Sequence, residues 1–147
     1  MAAPTVAPSW FVEDIPNNDE VYLRVPRRIW QDAHRKANLE PSGVSPSWFR
    51  YTAKDPMATM SCDWNRYATP GETRVRTNPD LTANAVIAIP AGGVRGVDPW
   101  DVIHSPLPEN RSHADITGPA DSHPRARVEF ARRARVALPL PESAEAT

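Results

Sequence analysis

His104, Asn110, Arg111, His113 and Asp115 lie within a fifteen-residue stretch that runs to Gly118 and is punctuated by Pro106 and Pro108. Two imidazoles, an amide, a guanidinium and a carboxylate so close together have two chemical uses. As a general base and acid the histidines would share a proton transfer, since an unperturbed imidazole titrates near about 6.5. Arg111, or Arg95 from the preceding turn, would then hold a phosphate or carboxylate. Asn110 would position the loop or the substrate, and Asp115 would orient an imidazole. Alternatively, His104 and His113 would bind a metal together with Asp115, Asp101 or His123. The spacing H-x8-H-x9-H matches neither a helical metalloprotease motif nor a zinc finger, and no cysteine joins it. The metal and any cofactor therefore stay unspecified. Structural work explains the same residues: Asn110 suits a turn, His113 can donate to a carbonyl, and Asp115 can pair with Arg111.

The elements that must position this stretch are short. Seventeen prolines in 147 residues is about twice the usual share, and each removes a backbone donor. Val21, Leu23 and Val25 alternate with Tyr22 and Arg24, which predicts a half-buried strand over Glu20–Val25. Pro26 stops it and opens a helix over Arg27–Asn38, with Ile29, Trp30, Ala33 and Ala37 on one side and Asn38 at the stop. Residues 39–58 read as loop. Thr59–Trp64 alternates again, with Met60, Cys62 and Trp64 inward and Ser61 and Asp63 outward. Thr69-Pro70-Gly71-Glu72 is a capping-box start for a short helix reaching about Thr77.

Ala83–Pro90 is a continuous apolar run, the pattern of a central strand buried on both faces. Gly92-Gly93 predicts a tight turn, Val94–Pro99 one helical turn, and Trp100–His104 a strand. If His104 ends that strand and His113 begins the next, the intervening loop brings the imidazoles together. Ser122–Leu138 predicts a helix with Ala126, Phe130, Ala134, Ala137 and Leu138 inward. Five arginines, Arg125, Arg127, Arg132, Arg133 and Arg135, decorate it, with Arg125, Arg132 and Arg135 on one side. Val6-Ala-Pro-Ser-Trp-Phe11 recurs as Val44-Ser-Pro-Ser-Trp-Phe49; two copies are too few for a repeat fold, and each reads as a capped turn docking an aromatic pair.

These elements add up to a small, compact single domain of the α+β class, with about four or five short strands, about three helices and proline-rich loops. Residues 1–19 form an arm laid on the domain by Trp10 and Phe11, 20–138 the domain, and 139–147 a flexible tail. With 17 basic and 18 acidic side chains, the net charge of −1 gives no general pull toward nucleic acid or an anionic membrane. The lone Cys62 reads as a buried, inert thiol and, with no hydrophobic signal core after Met1, suggests a reducing, cytoplasmic setting. No stretch is long and apolar enough to span a bilayer. Walker, dinucleotide-binding, nucleophile-elbow and C-x-x-C motifs are all missing.

Two functions follow. The first is a binding or accessory module that meets a protein partner through proline-rich loops, exposed tryptophans and the arginine-bearing C-terminal helix. The alternative is a small histidine-dependent enzyme, a hydrolase or an enzyme of phosphate-ester or anion chemistry, working through the His104–Gly118 loop. Nucleic acid is disfavoured, because only Phe130 interleaves with the arginines and it belongs to the apolar side.

Overall fold

A computed structural model describes residues 10–36, 38–40, 42–54 and 56–140. The class is α+β, built on one antiparallel sheet, with more elements than the sequence predicts: seven strands and four α-helices. The strands are β1 (Glu20–Pro26), β2 (Thr52–Lys54), β3 (Met57–Trp64), β4 (Asn84–Pro90), β5 (Asp101–His104), β6 (His113–Pro119) and β7 (Arg135–Leu138). The helices are α1 (Arg27–Lys36), α2 (Pro70–Val75), α3 (Ala91–Arg95) and α4 (His123–Arg133). Six strands form one row in the order β5-β6-β3-β1-β4-β7, and β2 adds to β3.

Alternation decides which side chains go inward. Val21, Leu23 and Val25 of β1, Ala85, Ile87 and Ile89 of β4, and Met60, Cys62 and Trp64 of β3 share one core. Each large aliphatic residue buried there contributes about 1.5–3 kcal/mol relative to exposure. Trp30 and Ala33 of α1, Ala91 and Val94 of α3, and Ala126 and Phe130 of α4 cover the same face. On the opposite face Tyr22, Val86 and Ala88 make a smaller cluster with Ala137 and Leu138. The run in β4 is continuous because both of its faces are covered.

Several local signals act as their chemistry predicts. The Thr69 hydroxyl accepts from Glu72 N–H at 3.2 Å and the Glu72 carboxylate accepts from Thr69 N–H at 2.9 Å, starting α2. Asn38 is left-handed (φ 52°), and Leu39 N–H reaches back to the Ala33 carbonyl, closing the end of α1. Ser45 caps the 3₁₀ turn Pro46–Trp48, and Trp48 and the following Phe49 are buried. The earlier copy of that motif lies partly outside the described residues, as do Ala37 and most of the predicted tail.

Other expectations give way to tertiary demands. Gly92-Gly93 does not make a turn; it lies inside α3, where a Cβ on Gly92 would stand 3.0 Å from the Asn17 carbonyl oxygen. The C-terminal helix stops at Arg133. Ala134 is extended, and Arg135–Leu138 becomes β7, filling the outer edge of β4 and covering the second apolar cluster. Arg135 is therefore not part of a helical arginine face; its guanidinium pairs with the Glu20 carboxylate at 2.7 and 3.1 Å. Phe11 does not anchor the N-terminal arm, being 90% exposed; among the arm's described residues Ile15 is the buried one, and Trp10 only meets the Arg111 guanidinium at the surface.

Candidate functional site

Strand register decides the relation of the two histidines. His104 pairs opposite Ala114, whose side chain enters the core, so His104 points into the core as well. His113, one residue earlier on β6, points to the opposite face. The two imidazoles therefore do not converge, and the acid–base pair and the shared metal read from the sequence have no common site.

His104 is 2% exposed and both ring nitrogens are occupied. Glu13 N–H donates to Nδ1 at 2.9 Å, and Nε2–H donates to the Arg111 carbonyl at 2.7 Å. Those partners fix a neutral imidazole, set against Trp64 with ring centroids 5.0 Å apart. Its work is to tie the N-terminal arm to the 105–112 loop. Arg111 turns the same way: its guanidinium lies 4.1 Å from the centroid of Tyr67 and 4.8 Å from that of Trp10, beside the Glu13 carboxylate. The Tyr67 hydroxyl bond, with Arg66 and Arg111 nearby, holds Glu13 below the usual carboxyl range. Arg95 is committed to Asp101, Asn17 and the carbonyls of Ile15 and Val102. His123 is buried against the Phe49 carbonyl, and burial pushes it below the ordinary imidazole value. Among the described residues, no three His, Cys, Asp or Glu side chains are grouped to hold a metal.

The other face carries a cleft of about 420 Å³. It lies where the sheet parts: β1 and β3 pair only at Val21–Trp64 and Tyr22–Asp63, and β2 takes up the same edge of β3 at Thr59. Arg24 of β1 and Ser61 and Asp63 of β3 line it from the sheet. Arg76 and Thr77, just past α2, make one wall, and Leu107, Glu109, Asn110 and His113 make the other.

Asp63 joins these walls. It is 2% exposed and accepts from the Thr73 hydroxyl at 2.7 Å, Arg76 Nε at 2.8 Å and Asn110 Nδ2 at 3.0 Å. Burial would raise its pKa, but those three hydrogen bonds and the Arg76 charge outweigh burial and hold the carboxyl below its ordinary value. Asn110 completes the link by accepting from the Ser112 N–H and hydroxyl. Asn110 thus fixes the loop, as one of the sequence readings has it.

Ser105, His113 and Asp115 bring together the residue types of a hydrolytic triad, but the hydrogen bonds run otherwise. His113 Nδ1 lies 2.9 Å from the Ser105 carbonyl, which can only accept, so Nδ1 carries the proton. The Ser105 hydroxyl lies 3.0 Å from the same Nδ1 but donates to Asp115 Oδ2 at 2.8 Å; with Nδ1 protonated, the imidazole is the donor in the Ser105 contact and does not take the hydroxyl proton. His113 Nε2 is the ring nitrogen left open, 3.9 Å from Asp115 Oδ1. Such a nitrogen, its tautomer set from behind, can accept a proton.

Arg24 differs from its neighbours in the cleft. It forms no hydrogen bond or ion pair with another described residue, whereas Arg76 is spent on Asp63. Cys62 below is buried, donates to the Ala114 carbonyl, and has its thiol pKa raised by burial and by the nearby Asp115 and Asp63 carboxylates. Of the five residues singled out in sequence, Asn110 and His113 reach the cleft, Asp115 adjoins His113, and His104 and Arg111 belong to the opposite side. Arg24, Ser61, Asp63, Arg76 and Glu109 escape a reading along the chain. Alternation puts Arg24, Ser61 and Asp63 on the polar faces of their strands, but only strand order makes those faces neighbours. No family model matches the chain, and no curated protein or solved structure is significantly similar to it.

Proposed function

We propose that the protein binds a small anionic ligand, a phosphate or a carboxylate, in the cleft between β1 and β3, with His113 as the proton acceptor beside it. The observation that carries this reading is the Arg24 guanidinium in that cleft, which has no hydrogen-bond or ion-pair partner among the described residues. A partly buried arginine without a carboxylate forgoes water and gains no counter-charge, and its planar fork suits two oxygens of a bound anion. The cleft volume falls within the range of about 300–1,000 Å³ common for small-molecule sites. The enzyme version of the reading is a hydrolase acting on a phosphate ester: His113 Nε2 takes a proton from water as its oxygen bonds to phosphorus, the ester P–O bond breaks, and the alcohol leaves after taking a proton from the imidazolium or from solvent.

Titration of inorganic phosphate, followed by amide NMR, tests the site. Binding should perturb residues around Arg24, Arg76 and His113. Arg24→Gln should weaken it about 10- to 100-fold, the scale of a lost charge-assisted hydrogen bond, with the melting temperature little changed. Equal affinity in wild type and variant, or no binding at all, would refute the proposal. In the enzyme version His113→Gln removes phosphate-ester turnover but leaves phosphate binding.

A protein-partner surface is the second reading, and exposure of Phe11 and Val12 (90% and 69%) favours it. The rest of the expected surface contributes less. Trp30, Trp48, Trp64 and Trp100 are buried, and Arg132 and Arg133 are engaged by Glu129. The cytoplasm is the setting we propose, in keeping with a single reduced cysteine.

A further inference from the structure

The free charge of the cleft has two signs. Asp63 and Arg76 satisfy each other, and His113 has its own carboxylate neighbour in Asp115, 3.9 Å from Nε2. What remains is Arg24 on the sheet side and Glu109 on the loop side. Neither forms an ion pair or hydrogen bond with another described residue, and so they do not neutralise each other across the cleft.

The backbone at Glu109 is held in place, although the side chain is exposed. Leu107-Pro108-Glu109-Asn110 is a tight turn closed by reciprocal backbone bonds, Leu107 N–H to Asn110 O and Asn110 N–H to Leu107 O, both 3.0 Å. Pro106 and Pro108 stiffen it, Pro108 at the turn position where a fixed φ is favoured. Asn110 anchors one end to buried Asp63, and the Arg111 carbonyl is held by His104. The backbone that carries Glu109 is thus fixed on the rim of the same cleft that Arg24 lines, and Arg24 is without a counter-charge among the described residues.

We propose that the ligand is bipolar: an anionic group seated on Arg24 and an ammonium or similar cationic donor seated on Glu109. This rests on the reading of the cleft as an anion site and adds the second pole. Compounds with a phosphate or carboxylate at one end and an amine at the other share this chemistry. Both poles make charge-assisted bonds, and the cleft supplies no third free charge to compete among the described residues.

The test is a graded series of aminoalkyl phosphates of increasing spacer length, each matched to the alkyl phosphate of equal length and measured by calorimetry. A parallel pair of amino acids and plain carboxylic acids distinguishes phosphate from carboxylate ligands. At the best spacer length the amine should improve affinity about fivefold, the scale of a partly solvated ion pair. Glu109→Gln should abolish that preference and leave the plain alkyl phosphate within about twofold, because the two poles are separate sites. Arg24→Gln should weaken both members of each pair. If phosphates bind but the amine gives no advantage, or the advantage survives Glu109→Gln, the second pole is overturned and the anion site stands. If neither phosphates nor carboxylates bind, the anion site itself fails.

Discussion

Replacing Asp63 by alanine should be among the most damaging changes at any polar position. Three donors converge on this carboxylate, and two of them, the Thr73 hydroxyl and the Asn110 amide, belong to buried residues. Each buried donor left without a partner costs about 1–3 kcal/mol. Arg76 keeps 26% of its side-chain surface in water and recovers part of its loss by hydration. Since the three losses share one network and do not add, the expected cost is about 3–5 kcal/mol, the scale of breaking a buried ion pair. That is a large fraction of the roughly 5–15 kcal/mol by which domains of this kind are stable. Asparagine is no remedy. Oδ2 accepts from Thr73 and Arg76 while Oδ1 accepts from Asn110, so an amide NH₂ on either side faces a donor. Asn110 cannot turn away, because its own oxygen is held by Ser112. Urea unfolding at neutral pH measures both variants. Because folding lowers the Asp63 pKa, its contribution is complete above the ordinary value of 3.8 and disappears as pH falls through the lower folded-state value. The gap between wild type and Asp63→Asn should therefore be full at neutral pH and narrow below about pH 4. A loss under about 1 kcal/mol for Asp63→Ala, or a gap that does not narrow in acid, would refute the role of this network.

Two further outcomes concern the core. Gly118 packs against the Trp100 ring, and a Cβ there would come within 2.2 Å of it, so Gly118→Ala should cost about 3 kcal/mol or more in thermal unfolding; a near-neutral effect would show that the ring has room to move. Cys62 should resist iodoacetamide in the native protein and react fully in urea, since the thiolate is disfavoured by burial and the sulfur is enclosed.

Local signals carried much of the outcome along the chain. The alternation of Val21, Leu23 and Val25, the apolar run in β4 and the inward set Met60, Cys62 and Trp64 each named a strand and its core side, because period two is a property of the backbone itself. The Thr69–Glu72 capping box and the left-handed Asn38 are likewise reciprocal bonds among near neighbours. These the chain determines within a few residues. Arg135–Leu138 shows where that ends. Its apolar spacing suits a helix, yet the open edge of β4 and the bare Tyr22, Val86 and Ala88 cluster draw it into a strand, a demand made by residues far away in sequence.

The candidate site followed the second rule. The sequence gathered reactive side chains between His104 and Gly118, but faces on paired strands depend on register, and a one-residue offset sends a side chain through the sheet. His104 opposite Ala114 goes into the core, and His113 comes out on the other side. The cleft beside His113 exists because β1 and β3 separate after two register pairs, which brings Arg24, Ser61 and Asp63 to a loop about fifty to ninety residues away in the chain. The chemistry of single residues was written in the sequence; which of them face one another was decided by strand order and register.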